Sequence, residues 1–293
     1  MKLIDVLLAV AVMVIWGFNF VAAKWGLAQS PPILLMALRF GVVAALLLPF
    51  VRAPRGRLLA IAALSVTLGA VHFSLMFTGL SRLGAGLAAV VTQVQVPFAA
   101  ILAAFVFGDY LGWRRALGMA IAFAGVFVLT GEPEVAADPG PLLLVVAAAF
   151  MWAVSNIQIK RLGAINGYAL NAYLGLCAAP QLLASSLVFE QGQRAALAAA
   201  DLWLVGSVLY MAVMVQIVSY LLWFRLVRAH PVNQVMPFTL LVPVFGVAAG
   251  AIFLGETLSW RMIVGGLMTV AGVAVIVLRR PRLAAPAAAA KTT

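Results

Sequence analysis

The sequence WGFN at residues 16–19 returns in altered form as WAVSN at residues 152–156, and both stretches lie inside long apolar segments. A second pair follows in the same order, since GDYLGWR at residues 108–114 is matched by GETLSWR at residues 255–261. A unit that occurs twice in a membrane-embedded chain is typical of transporters whose two halves face each other across a substrate site. The repeat therefore predicts two related halves and favours carriage of a solute across a membrane.

The composition is that of an integral membrane protein. Of the 293 residues, 66% are hydrophobic and 9% are charged, and the mean hydropathy is +1.14. Soluble domains are nearer half apolar, with about a quarter of their residues charged. The net charge of +11 does not indicate a nucleic-acid partner, because the basic residues stand in pairs and triplets at the ends of apolar segments. We expect a lipid bilayer around the chain and no nucleic acid.

The inventory of reactive side chains argues against an enzyme. The chain has two histidines and a single cysteine, Cys177, which lies within an apolar run. A membrane-embedded enzyme needs a nucleophile with a base, or metal ligands at suitable spacing, and neither pattern occurs. We predict no catalytic residues, no metal and no cofactor. A passive channel or a structural scaffold stays open as an alternative to a carrier.

Apolar runs separated by Gly, Pro and charged residues predict an all-α integral membrane protein with ten transmembrane helices. The predicted spans are 4–23, 33–51, 58–79, 85–107, 114–131, 141–160, 168–189, 203–224, 233–254 and 261–278. They divide into a first five-helix repeat at 1–131, a connecting loop at 132–140 and a second five-helix repeat at 141–280. The Ala-rich segment at 281–293 is predicted to be a disordered C-terminal tail.

The distribution of basic residues predicts the orientation. Ten spans place both termini on one side of the membrane, and fourteen Lys and Arg residues fall on that side. Arg39 lies within the second span, and four residues fall on the opposite side, namely Lys24, Arg82, Arg194 and Arg261. Basic residues accumulate on the cytoplasmic side, so both termini are predicted to be cytoplasmic. Because five is an odd number, the second repeat enters the membrane from the opposite side and the repeats are inverted.

Three stretches of the sequence resemble a known family. WGFNF at residues 16–20, Pro31-Pro32 leading to LRF at residues 38–40, and GETL at residues 255–258 are similar to the drug/metabolite transporter superfamily, in particular to its EamA-type bacterial exporters. The resemblance covers essentially the whole chain. It implies two inverted five-helix repeats in the bacterial inner (cytoplasmic) membrane that work by alternating access. It also implies a central cavity lined by the first, third, fourth, sixth, eighth and ninth spans.

The resemblance further implies export of amino acids or amino-acid metabolites. No predicted span carries a carboxylate at mid-depth, and Asp5, near the cytoplasmic end of the first span, is the nearest acid. Tight coupling to an ion usually needs intramembrane acids, so we expect facilitative or weakly proton-coupled transport. The alternative is a broad-range drug/metabolite efflux carrier of the same fold, which would normally use a buried carboxylate to face a cationic drug.

Polar and aromatic side chains within the spans are the candidates for substrate binding, because polar groups at lipid depth usually face a cavity or another helix. Trp and Asn recur on one helix face in both repeats, and they suit a cavity for a zwitterion. The alternative is interfacial Trp with Asn in helix packing. The predicted substrate-binding residues are Trp16, Asn19, His72, Met76, Gln93, Gln95, Trp152, Asn156, Gln216 and Tyr220.

Some of these predictions are more specific. His72 lies in the middle of the third span. One hypothesis is that it lines the cavity and carries a proton; the alternative is a neutral imidazole that bonds to a neighbouring helix. Gln93 and Gln95 point to nearly opposite faces, so only one is expected to meet substrate. Proline within a span opens the helix locally and can leave a backbone carbonyl free for ligand or water; the alternative role of such a proline is a kink that serves helix packing. The predicted helix-break and gating residues are Pro97, Pro237 and Pro243.

Several charged and small residues are assigned structural roles. Asp109 and Glu256 precede the final helix of each repeat, where a carboxylate caps free backbone amides. Lys24 and Lys160, at helix ends, are expected to reach lipid headgroups, with guarding of the cavity mouths as the alternative. Spaced glycines in the fifth and tenth spans favour close helix packing or a homodimer contact. These glycines are Gly118, Gly125, Gly265 and Gly272.

Overall fold

The structure, a computed structural model, describes residues 1–108 and 112–278, without the side chains at 232–233. All regular secondary structure in this part of the chain is helical. Asp109, the basic residues at 279–280 and the predicted tail at 281–293 lie outside the described residues.

Ten long helices follow one another along the described chain. They are α1 (Leu3–Leu27), α2 (Pro32–Phe50), α3 (Leu58–Arg82), α4 (Ala85–Phe107), α5 (Trp113–Leu129), α6 (Gly140–Leu162), α7 (Gly167–Phe189), α8 (Leu202–Ala229), α9 (Met236–Leu254) and α10 (Trp260–Val277). Three short helices lie between them, at Pro133–Ala137, Gln193–Ala198 and Val232–Val235.

Nine of these helices are long and apolar enough to cross a membrane, so the protein is a multi-pass membrane protein. The exception is α5, which has 17 residues. At about 1.5 Å per residue, it is slightly shorter than a hydrocarbon core of about 30 Å. The predicted count of ten spans therefore depends on α5.

Five of the helices contain irregular stretches: α2 ends in a 3-10 turn at Leu48–Phe50, and the other four helices form two matching pairs. A π-helical stretch covers Ser65–His72 in α3, and another covers Tyr210–Val218 in α8. A 3-10 turn covers Thr92–Val94 in α4, and α9 begins with one at Met236–Leu240. π-helical stretches are rare and often occur at functional sites. The third and fourth long helices thus share their irregularities with the eighth and ninth.

The spaced glycines of α5 and α10 face each other within the chain. A Cβ atom on Gly125 would lie 2.6 Å from the carbonyl oxygen of Gly265, and one on Gly272 would lie 2.5 Å from that of Gly118. Distances this short leave no room for a side chain, so the two helices touch backbone to backbone. Close helix packing, one of the two expectations for these glycines, is what the structure shows.

Glu256 does not cap the helix that follows it, so that prediction is wrong. Its carboxylate accepts hydrogen bonds from the backbone N–H groups of Ala85 and Gly86, at the start of α4. α10 is capped instead by the hydroxyl of Ser259, which accepts from the Met262 N–H at 3.0 Å. The reason is tertiary: α9 packs along the first turns of α4, so the residues after α9 emerge beside the free amides of α4.

Two further residues close helix ends across the fold. The Glu190 carboxylate, which follows α7, accepts from the N–H groups of Ile33 and Leu34 at 2.7 and 3.1 Å, at the start of α2. Lys24 turns inward rather than toward lipid headgroups, and its Nζ donates to the carbonyls of Leu80 and Leu83 at 3.3 and 3.1 Å. By the predicted orientation, all these contacts lie on the external side.

Candidate substrate site

The most unusual group in the interior is Arg39 of α2. Its side chain is buried, with the residue only 5% exposed, and its Nε has no hydrogen-bond partner. The guanidinium lies 5.1 Å from the centre of the Phe73 ring and 5.9 Å from that of Phe40. The ion pairs among the described residues, Arg82 with Asp138 and His230 with Asp5, lie elsewhere. Arg39 is thus a buried cation held by aromatic rings without a counter-ion in the described chain.

His72 connects this region to α6. It is buried, and its Nδ1 lies 2.8 Å from the carbonyl oxygen of Ala148. Its ring centre lies 4.7 Å from that of Phe73 and 5.1 Å from that of Trp152. The imidazole also lies within electrostatic range of Arg39. Since a backbone carbonyl only accepts, Nδ1 carries the hydrogen of this bond.

Trp16 connects the same region to α8. Its Nε1 donates to the Ser219 hydroxyl at 2.7 Å, and its ring centre lies 6.1 Å from that of Tyr220 and 5.3 Å from that of Trp223. Tyr220 in turn lies within electrostatic range of Arg39. Trp16 thus packs against two aromatic residues of α8, one of which interacts electrostatically with Arg39.

Arg39, Phe73, His72 and Trp152 form a continuous chain of contacts, and the Trp16–Tyr220 pair lies within electrostatic range of Arg39; we call these six residues the Arg39 cluster. It joins side chains of α1, α2, α3, α6 and α8, and so includes helices from both halves of the chain. Its members are Trp16, Arg39, His72, Phe73, Trp152 and Tyr220. Four of the six were predicted from sequence as substrate-binding residues: His72 and Trp152 join Arg39 through Phe73, and Trp16 and Tyr220 form a second contacting pair.

The other predicted binding residues are placed less uniformly. The Oδ1 of Asn19 is buried without a hydrogen-bond partner, and Met76 is buried in the main apolar core. Asn156 is exposed on α6. Gln93 is buried whereas Gln95 is half-buried, as expected of side chains on different helix faces.

Gln216 lies on the π-helical stretch of α8 and is engaged with a neighbouring helix. Its Nε2 donates to Oδ1 of Asn171 on α7 at 3.0 Å, while its Oε1 is buried without a partner. The predicted prolines lie beside the 3-10 turns. Pro97 and Pro243 are each the third residue of the α-helical stretch that follows such a turn, and Pro237 lies within one.

Two open clefts are found away from the Arg39 cluster. One, of about 310 Å³, lies between α3, α6 and α7, with Ser74, Thr78 and Ser185 among its lining residues. The other, of about 270 Å³, lies between α1 and α8 and is lined by aromatic residues that include Trp25 and Trp203. Neither is lined by a residue of the cluster.

Sequence reasoning missed two members of the cluster. In the sequence analysis Arg39 is only part of the LRF stretch and of the charge count, although a single charge inside an apolar span is itself a sign of function. Phe73 offers no such signal, because it is one of 17 phenylalanines in an apolar chain. The π-helical stretches that carry His72 and Gln216 also had no sequence signature.

Comparison with known proteins identifies the family. The model of the EamA-like transporter family matches residues 3–131 and, a second time, residues 140–278. The chain is 35% identical over 278 residues to a probable amino-acid metabolite efflux pump of Salmonella typhimurium, covering 92% of this chain and 93% of that protein. It is 32% identical to a protein of the same name from Escherichia coli, with 92% and 93% covered.

A solved crystal structure shares the fold. It matches 95% of this chain and 98% of its own with a TM-score of 0.61, at 17% sequence identity. An uncharacterized inner membrane transporter of Escherichia coli is 25% identical over 256 residues, covering 85% of this chain and 82% of that protein. With both halves matched by one family model and with relatives above 30% identity along nearly their whole length, the chain belongs to the EamA-like transporter family and is a membrane transporter rather than an enzyme.

Proposed function

We propose that the chain exports amino acids or amino-acid metabolites across the bacterial inner membrane. The observation that carries the proposal is that two relatives above 30% identity, matched along 93% of their length, are each named as a probable amino-acid metabolite efflux pump. The Arg39 cluster supports it, because an amino acid presents a carboxylate and a side chain, and the cluster offers a buried guanidinium and aromatic rings.

The proposed mechanism is alternating access between two inverted five-helix repeats, at 1–131 and 141–280, joined by the loop at 132–140. Two observations support it. One family model matches each half, and the helix interruptions of α3 and α4 recur in α8 and α9. In this arrangement α5 also crosses the membrane, which brings the number of spans from nine to ten, and it is the counterpart of α10 in the other repeat. Pro97, Pro237 and Pro243 lie where the helices would bend as the halves rock.

The proposed orientation has both termini in the cytoplasm, and the proposed transport is facilitative or weakly proton-coupled. Orientation rests on the excess of Lys and Arg on that side. The proposal of weak proton coupling rests on the positions of the acids. Asp5 of α1, the acid nearest to mid-membrane, lies at the cytoplasmic end by this orientation and is already bonded to His230 at 3.0 Å. A homodimer remains a prediction, and the glycine faces that favoured it are occupied between α5 and α10.

The alternative, a broad-range drug efflux carrier, fits the cluster less well for cationic drugs. A lipophilic cation would approach the buried guanidinium of Arg39 without a carboxylate beside it to offset the repulsion. Amino acids and their metabolites carry a carboxylate and avoid this repulsion. We therefore place amino-acid export first.

The test is flux through the purified full-length protein in proteoliposomes. Vesicles are loaded with unlabelled amino acids, and counterflow of a labelled panel is followed with and without an imposed pH gradient, with protein-free vesicles as the control. Saturable counterflow without a gradient is the expected result. Transport of sugars or drugs in the absence of any amino-acid flux would overturn the substrate assignment, and non-saturable flux would indicate a channel.

A further inference from the structure

We infer that Arg39 binds the carboxylate of the transported substrate, so that the site requires an anionic carboxylate and does not require the ammonium group. The inference rests on the proposed function, whose substrates carry both groups. It assigns the charged end of the substrate to one side chain of α2.

The first argument is that Arg39 is an uncompensated charge. A buried guanidinium is expensive to desolvate unless an anion or several acceptors meet it. Of the seven described acids, six are already bonded, and the seventh, Glu134, is exposed in the short helix at Pro133–Ala137. Those with partners are Asp5, Glu132, Asp138, Glu190, Asp201 and Glu256. The described chain thus offers Arg39 no counter-ion, and a substrate carboxylate would supply it.

The second argument compares Arg39 with basic residues that have structural roles here. Lys24, which is only partly buried, donates to three backbone carbonyls at the end of α3. Arg57 donates to the carbonyl of Ala164. Arg39 is more deeply buried than either, yet its Nε has no acceptor. A basic residue whose only role is to connect helices would donate to backbone carbonyls, as Lys24 and Arg57 do.

The third argument is geometric. Phe73 and Phe40 lie at cation–π distance from the guanidinium, and its buried Nε has no partner. A guanidinium fork can form two parallel hydrogen bonds with a carboxylate. Tyr220 lies within electrostatic range of the guanidinium. No carboxylate of the described chain stands ready for an ammonium group. N-acylated amino acids, which keep the carboxylate and lose the positive charge, are therefore within the substrate class.

The test uses three forms of one molecule: the amino acid that gives the greatest flux in the panel above, its amide and its N-acetyl derivative. Binding to purified protein is measured by quenching of tryptophan fluorescence, which does not depend on transport, and competition is measured in counterflow. The variants are Arg39→Gln, Arg39→Lys and, as a matched control, Arg194→Gln, which removes the same charge from an exposed position.

We expect the wild-type protein and Arg194→Gln to bind the acid and the N-acetyl acid at least about tenfold more tightly than the amide. Arg39→Gln should weaken binding of both acids by about 10- to 100-fold and leave the amide nearly unchanged. Arg39→Lys should retain the preference for acids with weaker binding. Equal binding of acid and amide by the wild-type protein, or an unchanged preference in monodisperse Arg39→Gln, would overturn the inference.

The two proposals fail separately. If no amino acid is carried, the panel for the quenching assay becomes apolar carboxylic acids and their amides; a preference for acids that is lost in Arg39→Gln would sustain this inference without the export function. If amino acids are carried but their amides bind equally well, export stands and the role of Arg39 falls. Should Arg39→Gln not fold, the wild-type comparison of acid with amide and the Arg39→Lys variant decide the question.

Discussion

Replacing Gly272 by Ala tests the backbone contact between α5 and α10. The added Cβ would lie 2.4 Å from the backbone nitrogen of Ala122 and 2.5 Å from the carbonyl oxygen of Gly118. Ordinary contacts of a Cβ begin near 3.4 Å, so the helices must separate by about 1 Å along this face. Backbone atoms cannot rotate away as a side chain does, and the loss extends to the neighbouring contacts.

The expected magnitude combines two effects of opposite sign. Overpacking costs about 1–3 kcal/mol, whereas alanine favours a helix over glycine by about 1 kcal/mol. Gly272→Ala should therefore lower the free energy of unfolding by up to about 2 kcal/mol. Gly41→Ala in α2 is the matched control, because a Cβ there meets nothing within 4 Å, and it should be neutral or stabilising by up to about 1 kcal/mol.

The assay is equilibrium unfolding of purified protein in mixtures of a mild detergent and sodium dodecyl sulfate, followed by tryptophan fluorescence. The informative quantity is the difference between the two variants, since both add one methyl group to a helix. A Gly272→Ala protein as stable as Gly41→Ala would refute the reasoning, because it would mean that α5 and α10 do not touch through their glycines.

Three further predictions concern the polar contacts. Glu256→Gln keeps one acceptor for the start of α4 at Ala85 but loses the charge, and should lower the free energy of unfolding in the same assay by about 1–3 kcal/mol; an unchanged value would show that the cap is not formed. Trp16→Phe removes the donor to Ser219 and should raise the KM for amino-acid counterflow by about threefold to tenfold, whereas an unchanged KM would remove Trp16 from the site. His72→Gln retains a donor for the carbonyl of α6 and should leave the pH profile of export unchanged, and loss of pH dependence in this variant would make the imidazole the proton carrier.

The membrane-spanning character of the fold follows from hydropathy because the bilayer imposes it. Predicted span ends agree with the structure within a few residues where Gly, Pro or charges stop the apolar run, as at the start of α2. α8 continues to Ala229, five residues past its predicted end at 224, because Arg225 and Arg228 extend a helix into the interface without being apolar. The sequence therefore predicts the length of the apolar segment that crosses the bilayer, but it does not predict how far the helix continues beyond the bilayer.

The site was less predictable because it depends on which helices become neighbours. Trp16, His72, Trp152 and Tyr220 are polar or amphipathic groups at lipid depth, and they meet in two pairs, Trp16 with Tyr220 and His72 with Trp152. Their common neighbour Arg39 could not be recognised as the centre without knowing that α2 reaches α3 and α8. The π-helical stretches likewise arise from packing between helices, which local propensity does not encode.

The caps that Glu190 and Glu256 provide for α2 and α4 set an order on biogenesis. Both helices are made early, yet the carboxylates that complete their first turns belong to the later part of the chain. At about 5–20 residues per second, the amides at the start of α4 wait about 10–30 s for Glu256 to be synthesised. The earlier helices can enter the bilayer during that interval, but α2 and α4 complete their caps only after Glu190 and Glu256 have been synthesised. The chain must therefore mature as a single unit, and a ribosome that stalls in the second half leaves the first half unfinished as well.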